Sequence, residues 1–197
     1  MDSAAVQSAP STRTILVVGD SLSAEYGLPR DTGWVSQLSE RISRQEPEYS
    51  VVNASISGDT SSGGRSRLPR LLQTVKPDVV VIELGANDGL RGLDVDQMRD
   101  NLQAMIDACR TARAGILLVG IRIPPNYGRE YSDRFFETYA LLARRNRIAQ
   151  VPFLLDGFAD RLDLFQADHI HPNRQAQALM LQNVWPKLQP LLRRPAA

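Results

Sequence analysis

The chain has 197 residues, 43% of them hydrophobic and 23% charged, and carries a formal net charge of +1. That length suits one well-packed core and is short for two domains, and so neutral a balance gives no sign of a nucleic-acid or acidic-membrane partner. No stretch approaches the ~20 apolar residues of a membrane span, and the single cysteine, Cys109, excludes an internal disulfide and a cysteine zinc cluster.

In chain order, residues 1–12 read as a small, polar, flexible segment without the apolar h-region of a secretory signal as written; a mature N-terminus carrying an added methionine is the other reading. The run Thr14-Ile15-Leu16-Val17-Val18 predicts a buried strand that delivers Gly19-Asp20-Ser21-Leu22. Gly27, Leu28, Pro29 and Gly33 predict a loop, and Trp34–Ile42 the first regular helix. Further apolar runs stand at Val51–Ala54, Val79–Leu84, Ile116–Ile121 and Val151–Leu155. Between them, Val95, Met98, Leu102, Met105, Ile106, Cys109 and Ala112 share one helix face, which makes Cys109 a core residue rather than a nucleophile. A final helix is expected from Asn173, with Pro186 placed to kink or end it. Apolar strands alternating with amphipathic helices imply one doubly wound α/β domain over residues 13–194, with a mainly parallel sheet of about five strands between two helical layers.

In such a fold, ligands bind beyond the carboxyl ends of the strands, where the strand order reverses. Three polar loops should open there: Gly19-Asp20-Ser21, Ser57-Gly58-Asp59-Thr60 and Gly85-Ala86-Asn87-Asp88-Gly89. Ser21 is the best nucleophile, because a strand end fixes it and a helix dipole is expected to assist; the alternative is a helix cap. Thr60 is a bulkier rival further from its strand. Both histidines lie in Asp168-His169-Ile170-His171-Pro172, so the base is one of them. In an extended segment Asp168 and His169 diverge, whereas Asp168 and His171 meet if the chain turns, which favours His171 and leaves His169 as the alternative. A His-x-His metal pair lacks a third nitrogen or sulfur ligand. The backbone N–H groups of Ser21 and Gly58 and the Asn87 amide are candidate donors to a developing oxyanion.

These residues resemble the SGNH or GDSL hydrolases, whose four blocks supply a serine, a glycine, an asparagine and a histidine. The matching residues are Gly19-Asp20-Ser21-Leu22-Ser23, Gly58, Gly85-Ala86-Asn87-Asp88 and Asp168-His169-Ile170-His171-Pro172, in family order. The segments Val52–Ser61, Glu83–Gly92 and Ile121–Gly128 are similar to the bacterial multifunctional acyl-thioesterase, lysophospholipase and arylesterase subgroup. The resemblance implies a flavodoxin-like three-layer domain, Ser21, His171 and Asp168 as triad, and Ser21, Gly58 and Asn87 as oxyanion donors. It implies a substrate-binding region of Asp20, Leu22, Asp88, Gly89, Leu90, Pro124, Asn126, Tyr127 and Ile170, with the 89–93 loop covering the acyl groove. It further implies small acyl ester or thioester substrates and neither a metal nor an organic cofactor. Many members are periplasmic or secreted; the absence of a signal in this chain leaves the cytoplasm as the alternative. A monomer is expected, a homo-oligomer being the alternative. Two other functions compete: a carbohydrate acetylesterase with the same triad, and a non-catalytic flavodoxin-like binder. The binder is opposed by the absence of Gly-x-Gly-x-x-Gly and of Gly-x-x-x-x-Gly-Lys-Ser/Thr, and an ordinary α/β-hydrolase by the absence of Gly-x-Ser-x-Gly.

Overall fold

Among the described residues, five parallel strands form one sheet in the order β2-β1-β3-β4-β5. They are β1 (Arg13–Gly19), β2 (Tyr49–Asn53), β3 (Val79–Glu83), β4 (Gly115–Val119) and β5 (Ala149–Val151). A computed structural model describes residues 13–193; the segment expected to be flexible, 1–12, and the last residue of the expected domain, 194, lie outside the described residues. β1 pairs with both β2 and β3, Ile15 standing opposite Val51 on one side and Val79 on the other. Ile15–Val18 and Val79–Ile82 are fully or almost fully buried, as continuous β-branched runs covered on both faces must be.

Six helices cover the sheet: α1 (Trp34–Gln45), α2 (Ser61–Val75), α3 (Ala86–Leu90), α4 (Val95–Thr111), α5 (Arg129–Asn146) and α6 (Gln177–Leu192). α1 packs on α6, while α4 packs on both α2 and α5, giving the two outer layers. The Gln177 side chain accepts from the Trp34 N–H at 3.0 Å and so fixes the start of α1 to the start of α6. Cys109 is completely buried on α4, and burial pushes its thiol up to about 12, which makes it an inert core residue.

Four elements depart from the sequence reading. α6 continues through both Pro186 and Pro190 to Leu192. Burial of Val184, Trp185, Leu188, Leu191 and Leu192 in the core outweighs the missing N–H groups. β4 stops at Val119, before the end of the apolar run Ile116–Ile121, and β5 spans Ala149–Val151, sharing only Val151 with the run Val151–Leu155. At that point the Gly120 N–H bonds the Val151 carbonyl at 2.8 Å, and the Leu154 N–H bonds back to Gly120 at 2.9 Å, which turns the chain out of the ladder. The short α3 is new, and it begins at the loop that carries Asn87.

Gly85 launches α3 with φ of 120°, a conformation that L side chains rarely adopt, and a Cβ there would lie 2.2 Å from the Tyr139 hydroxyl. That hydroxyl is buried and donates to the Leu84 carbonyl at 2.9 Å, so it has no free direction in which to retreat. Gly85→Ala is therefore expected to destabilise the fold by about 1–3 kcal/mol, read as a lower midpoint in urea unfolding. An unchanged midpoint would show that the loop relaxes freely.

Candidate active site

The order of the strands reverses at β1, since α1 leads outward to β2 and α2 returns to β3 on the other side. The crevice beyond β1 and β3 is thus where this architecture places a ligand. Ser21 leaves β1 directly into that crevice. No α-helix follows it, so the expected helix dipole is absent; residues 21–27 form turns closed by the Ser23 and Ala24 N–H groups bonding the Asp20 carbonyl, at 3.2 and 2.9 Å.

Both neighbours of Ser21 are pinned from beneath. The Asp20 carboxylate is fully buried and accepts from the Leu22 N–H at 3.0 Å. Glu83, in register with Gly19 and equally buried, accepts from the Ser23 hydroxyl at 2.6 Å and from the Asp20 N–H at 3.4 Å. Burial, reinforced by the charge of Asp20, holds the Glu83 carboxyl well above its ordinary value. Burial also lifts Asp20 to about 7, against the lowering effect of the Leu22 N–H, with Asp59 and Asp88 adding repulsion. Two neutral-leaning acids thus clamp the turn that presents the serine.

The second half of the site comes from the far end of the chain. An isolated bridge between Phe165 and Pro172, and the Gln166 N–H bonding the His171 carbonyl at 2.8 Å, close a tight loop around Asp168–His171. Within it, one Asp168 carboxylate oxygen accepts from the N–H groups of Ile170 and His171, each at 3.0 Å. His169 supplies the reversal with φ of 55° and is exposed. The turn brings the other Asp168 oxygen 2.6 Å from His171 Nδ1, while His171 Nε2 lies 2.9 Å from Ser21 Oγ. Of the two histidines, His171 is the one that faces the serine. Tyr26 lies beside it, its ring centre 4.4 Å from the imidazole.

On the opposite side, Gly58 adopts φ of 81° in the turn after β2, and its carbonyl accepts from Arg91 at 2.9 Å. The Asn87 amide donates to the Asp59 carbonyl at 2.9 Å and to the Asp20 carboxylate at 3.2 Å. It is therefore tied to the residues adjacent in sequence to Gly58 and to Ser21. Arg67 of α2 braces the same corner, pairing with Asp59 at 2.8 Å and bonding the carbonyls of Ala54 and Gly19. Thr60 caps α2, its side chain accepting from the Gly63 N–H at 3.3 Å. Among the described residues, no group of three or more His, Cys, Asp or Glu is arranged to hold a metal ion.

The signature of the GDSL-like lipase/acylhydrolase family matches residues 17–179. The chain belongs to this family. It is 50% identical to the esterase TesA of Pseudomonas aeruginosa, over 92% of this chain and 90% of that protein. It is 40% identical to thioesterase 1/protease 1/lysophospholipase L1 of Escherichia coli K12, over 93% of this chain and 87% of that protein. The structure of the psychrotrophic esterase EstA from Pseudoalteromonas sp., inhibited by monoethylphosphonate, superposes with a TM-score of 0.85 at 39% identity, covering 92% of this chain and all (100%) of that one.

The GDSL-family resemblance extends a substrate-binding region to nine positions, and the structure separates them. Leu90, Pro124, Asn126 and Tyr127 lie together, the Tyr127 hydroxyl donating to the Leu90 carbonyl at 2.8 Å and Tyr131 to the Leu93 carbonyl at 2.7 Å. Leu22 is partly buried against the core, and Ile170 is exposed beside His171. Asp20, Asp88 and Gly89, by contrast, are buried. Asp88 holds the start of α2 through the Ser61 N–H at 2.8 Å and the Ser61 hydroxyl at 2.5 Å. Gly89 packs against Ile123 and Phe135. Glu83, Ser23, Arg67 and Gln166 escaped the sequence reading. Only Glu83 carried a signal, as a carboxylate closing an otherwise apolar strand.

Partial burial alone would raise the Asp168 carboxyl, but the His171 and Ile170 N–H groups and the imidazole together hold it at about 2. A carboxylate so lowered stabilises the loop fully above its ordinary value near 3.8 and loses that contribution as the pH falls toward 2. A carbon-13 NMR titration should accordingly show no step for Asp168 between pH 3 and 5. A step near 4 would mean that the loop does not hold the carboxylate as described.

Proposed function

We propose that the protein is a serine hydrolase of carboxylic esters and acyl thioesters, working through an acyl-enzyme on Ser21. The observation that carries this reading is the continuous chain from Asp168 through His171 to Ser21, with separations of 2.6 and 2.9 Å. A serine hydroxyl is a weak nucleophile until a base takes its proton, and the base needs a partner to fix its tautomer. Here His171 Nε2 takes the Ser21 proton as Oγ attacks the acyl carbonyl. Asp168, ionised at any working pH, holds Nδ1–H and stabilises the imidazolium. The tetrahedral oxyanion rests on the Ser21 and Gly58 N–H groups and the Asn87 amide. Collapse expels the alcohol or thiol with the proton from Nε2, and water then repeats the sequence on the acyl-enzyme.

The family and its named esterase and thioesterase relatives support the same substrate class. The family resemblance assigns the acyl chain to the segments of Leu90 and Pro124–Tyr127, which the Tyr127 hydroxyl joins by its 2.8 Å bond to the Leu90 carbonyl. The test is a panel of p-nitrophenyl esters, acyl-CoA thioesters, lysophospholipids and acetylated sugars. Turnover of the first three classes, its abolition in a folded Ser21→Ala variant, and a ~10²–10³-fold slower acylation in Asn87→Ala are expected. Activity retained by Ser21→Ala would overturn the assignment, and a preference for acetylated sugars would redirect the substrate class.

A further inference from the structure

We propose that Tyr26 forms the subsite for the departing group, and that this subsite favours a flat aromatic leaving group. The inference rests on the roles of Ser21 and His171 proposed above. In acylation a bond forms between Ser21 Oγ and the acyl carbon, and the bond from that carbon to the ester oxygen breaks. The bonding pair leaves with the oxygen, and the proton taken from Ser21 passes from His171 Nε2 to it. The departing oxygen must therefore come within hydrogen-bond reach of Nε2, which places whatever it carries on the imidazole side of the nucleophile.

One large side chain stands uncovered there. Tyr26 keeps 50% of its surface open although its ring centre lies 4.4 Å from the imidazole. Tyr26 is the one aromatic among the exposed large hydrophobic side chains of the described residues. Its position is built rather than incidental. The Tyr26 carbonyl accepts from the Gln166 amide at 2.8 Å, and the Gln166 N–H bonds the His171 carbonyl at 2.8 Å, so a single glutamine ties the tyrosine to the loop of the base. The Tyr26 N–H also bonds the Ser21 carbonyl at 3.4 Å. The ring is tilted 39° to the imidazole and half of the Tyr26 surface, 50%, stays open. Such a surface gains most from another ring, by offset or edge-to-face contact.

The experiment compares two butyrate esters whose released alcohols are of similar acidity, phenyl butyrate and hexafluoroisopropyl butyrate, on wild type, Tyr26→Ala and Tyr26→Phe. Acylation is read as kcat/KM, and deacylation as the single-turnover decay of the common butyryl-enzyme. Tyr26→Ala should lower kcat/KM for the phenyl ester about 2- to 10-fold more than for the other, with deacylation unchanged and the wild-type ratio kept by Tyr26→Phe. Tyr26→Leu, which keeps bulk without a ring, gives the same reading if the alanine variant fails to fold. Equal loss on both esters with slower deacylation would make Tyr26 only a support for His171 and overturn the subsite. An unchanged ester ratio in Tyr26→Ala overturns the subsite alone, whereas wild-type rates in Ser21→Ala overturn the site and the subsite together.

Discussion

The hydrogen bond from Ser21 Oγ to His171 Nε2, 2.9 Å long, joins residues 150 positions apart. Nothing local creates it. It exists because β1 ends at the point where the strand order reverses, and because the loop before α6 returns over that same edge. The remaining features of the site serve to hold its two ends still.

At the serine end the means is a pair of buried acids. Asp20 and Glu83 sit beneath the turn with no exposed surface, and both are pushed toward the neutral form. Burying carboxyl groups is costly unless they are hydrogen-bonded, and here each is bonded to the backbone or side chains that flank Ser21. Asp20 does more, since its second oxygen reaches the Asn87 amide. The Ser21 turn and the Asn87 amide are thereby referenced to one carboxyl group, with Arg67 and Asp59 bracing the Gly58 side. At the histidine end the means is local: one carboxylate accepts two backbone N–H bonds and still orients an imidazole, through a turn of four residues.

The strands were legible because parallel strands buried on both faces read as unbroken apolar runs, and the sheet edge followed from their alternation with helices. The meeting of Ser21, Asp168 and His171 was legible because chemistry restricts the residue types that suit such a chain, and because the sequence holds only two histidines. Position relative to the surface was not legible. Asp20 and Asp88 adjoin Ser21 and Asn87 in sequence, yet both are buried, because one residue's step along a turn reverses the facing of a side chain. Glu83 and Arg67 were missed because their partners belong to other segments. Pro186 looked placed to kink or end the last helix until the packing of α6 was known. The helix dipole expected behind Ser21 failed because a serine on a turn does not need a helix after it.

The central claim is that Ser21, activated by His171, is the one nucleophile. Inactivation with a fluorophosphonate, followed by peptide mass spectrometry, tests it most directly. One phosphonyl group per chain on Ser21, with labelling slowed by roughly 10²–10⁴-fold in His171→Ala, is the predicted result. An adduct on Thr60 or elsewhere, or Ser21 labelled as fast without His171, would contradict it.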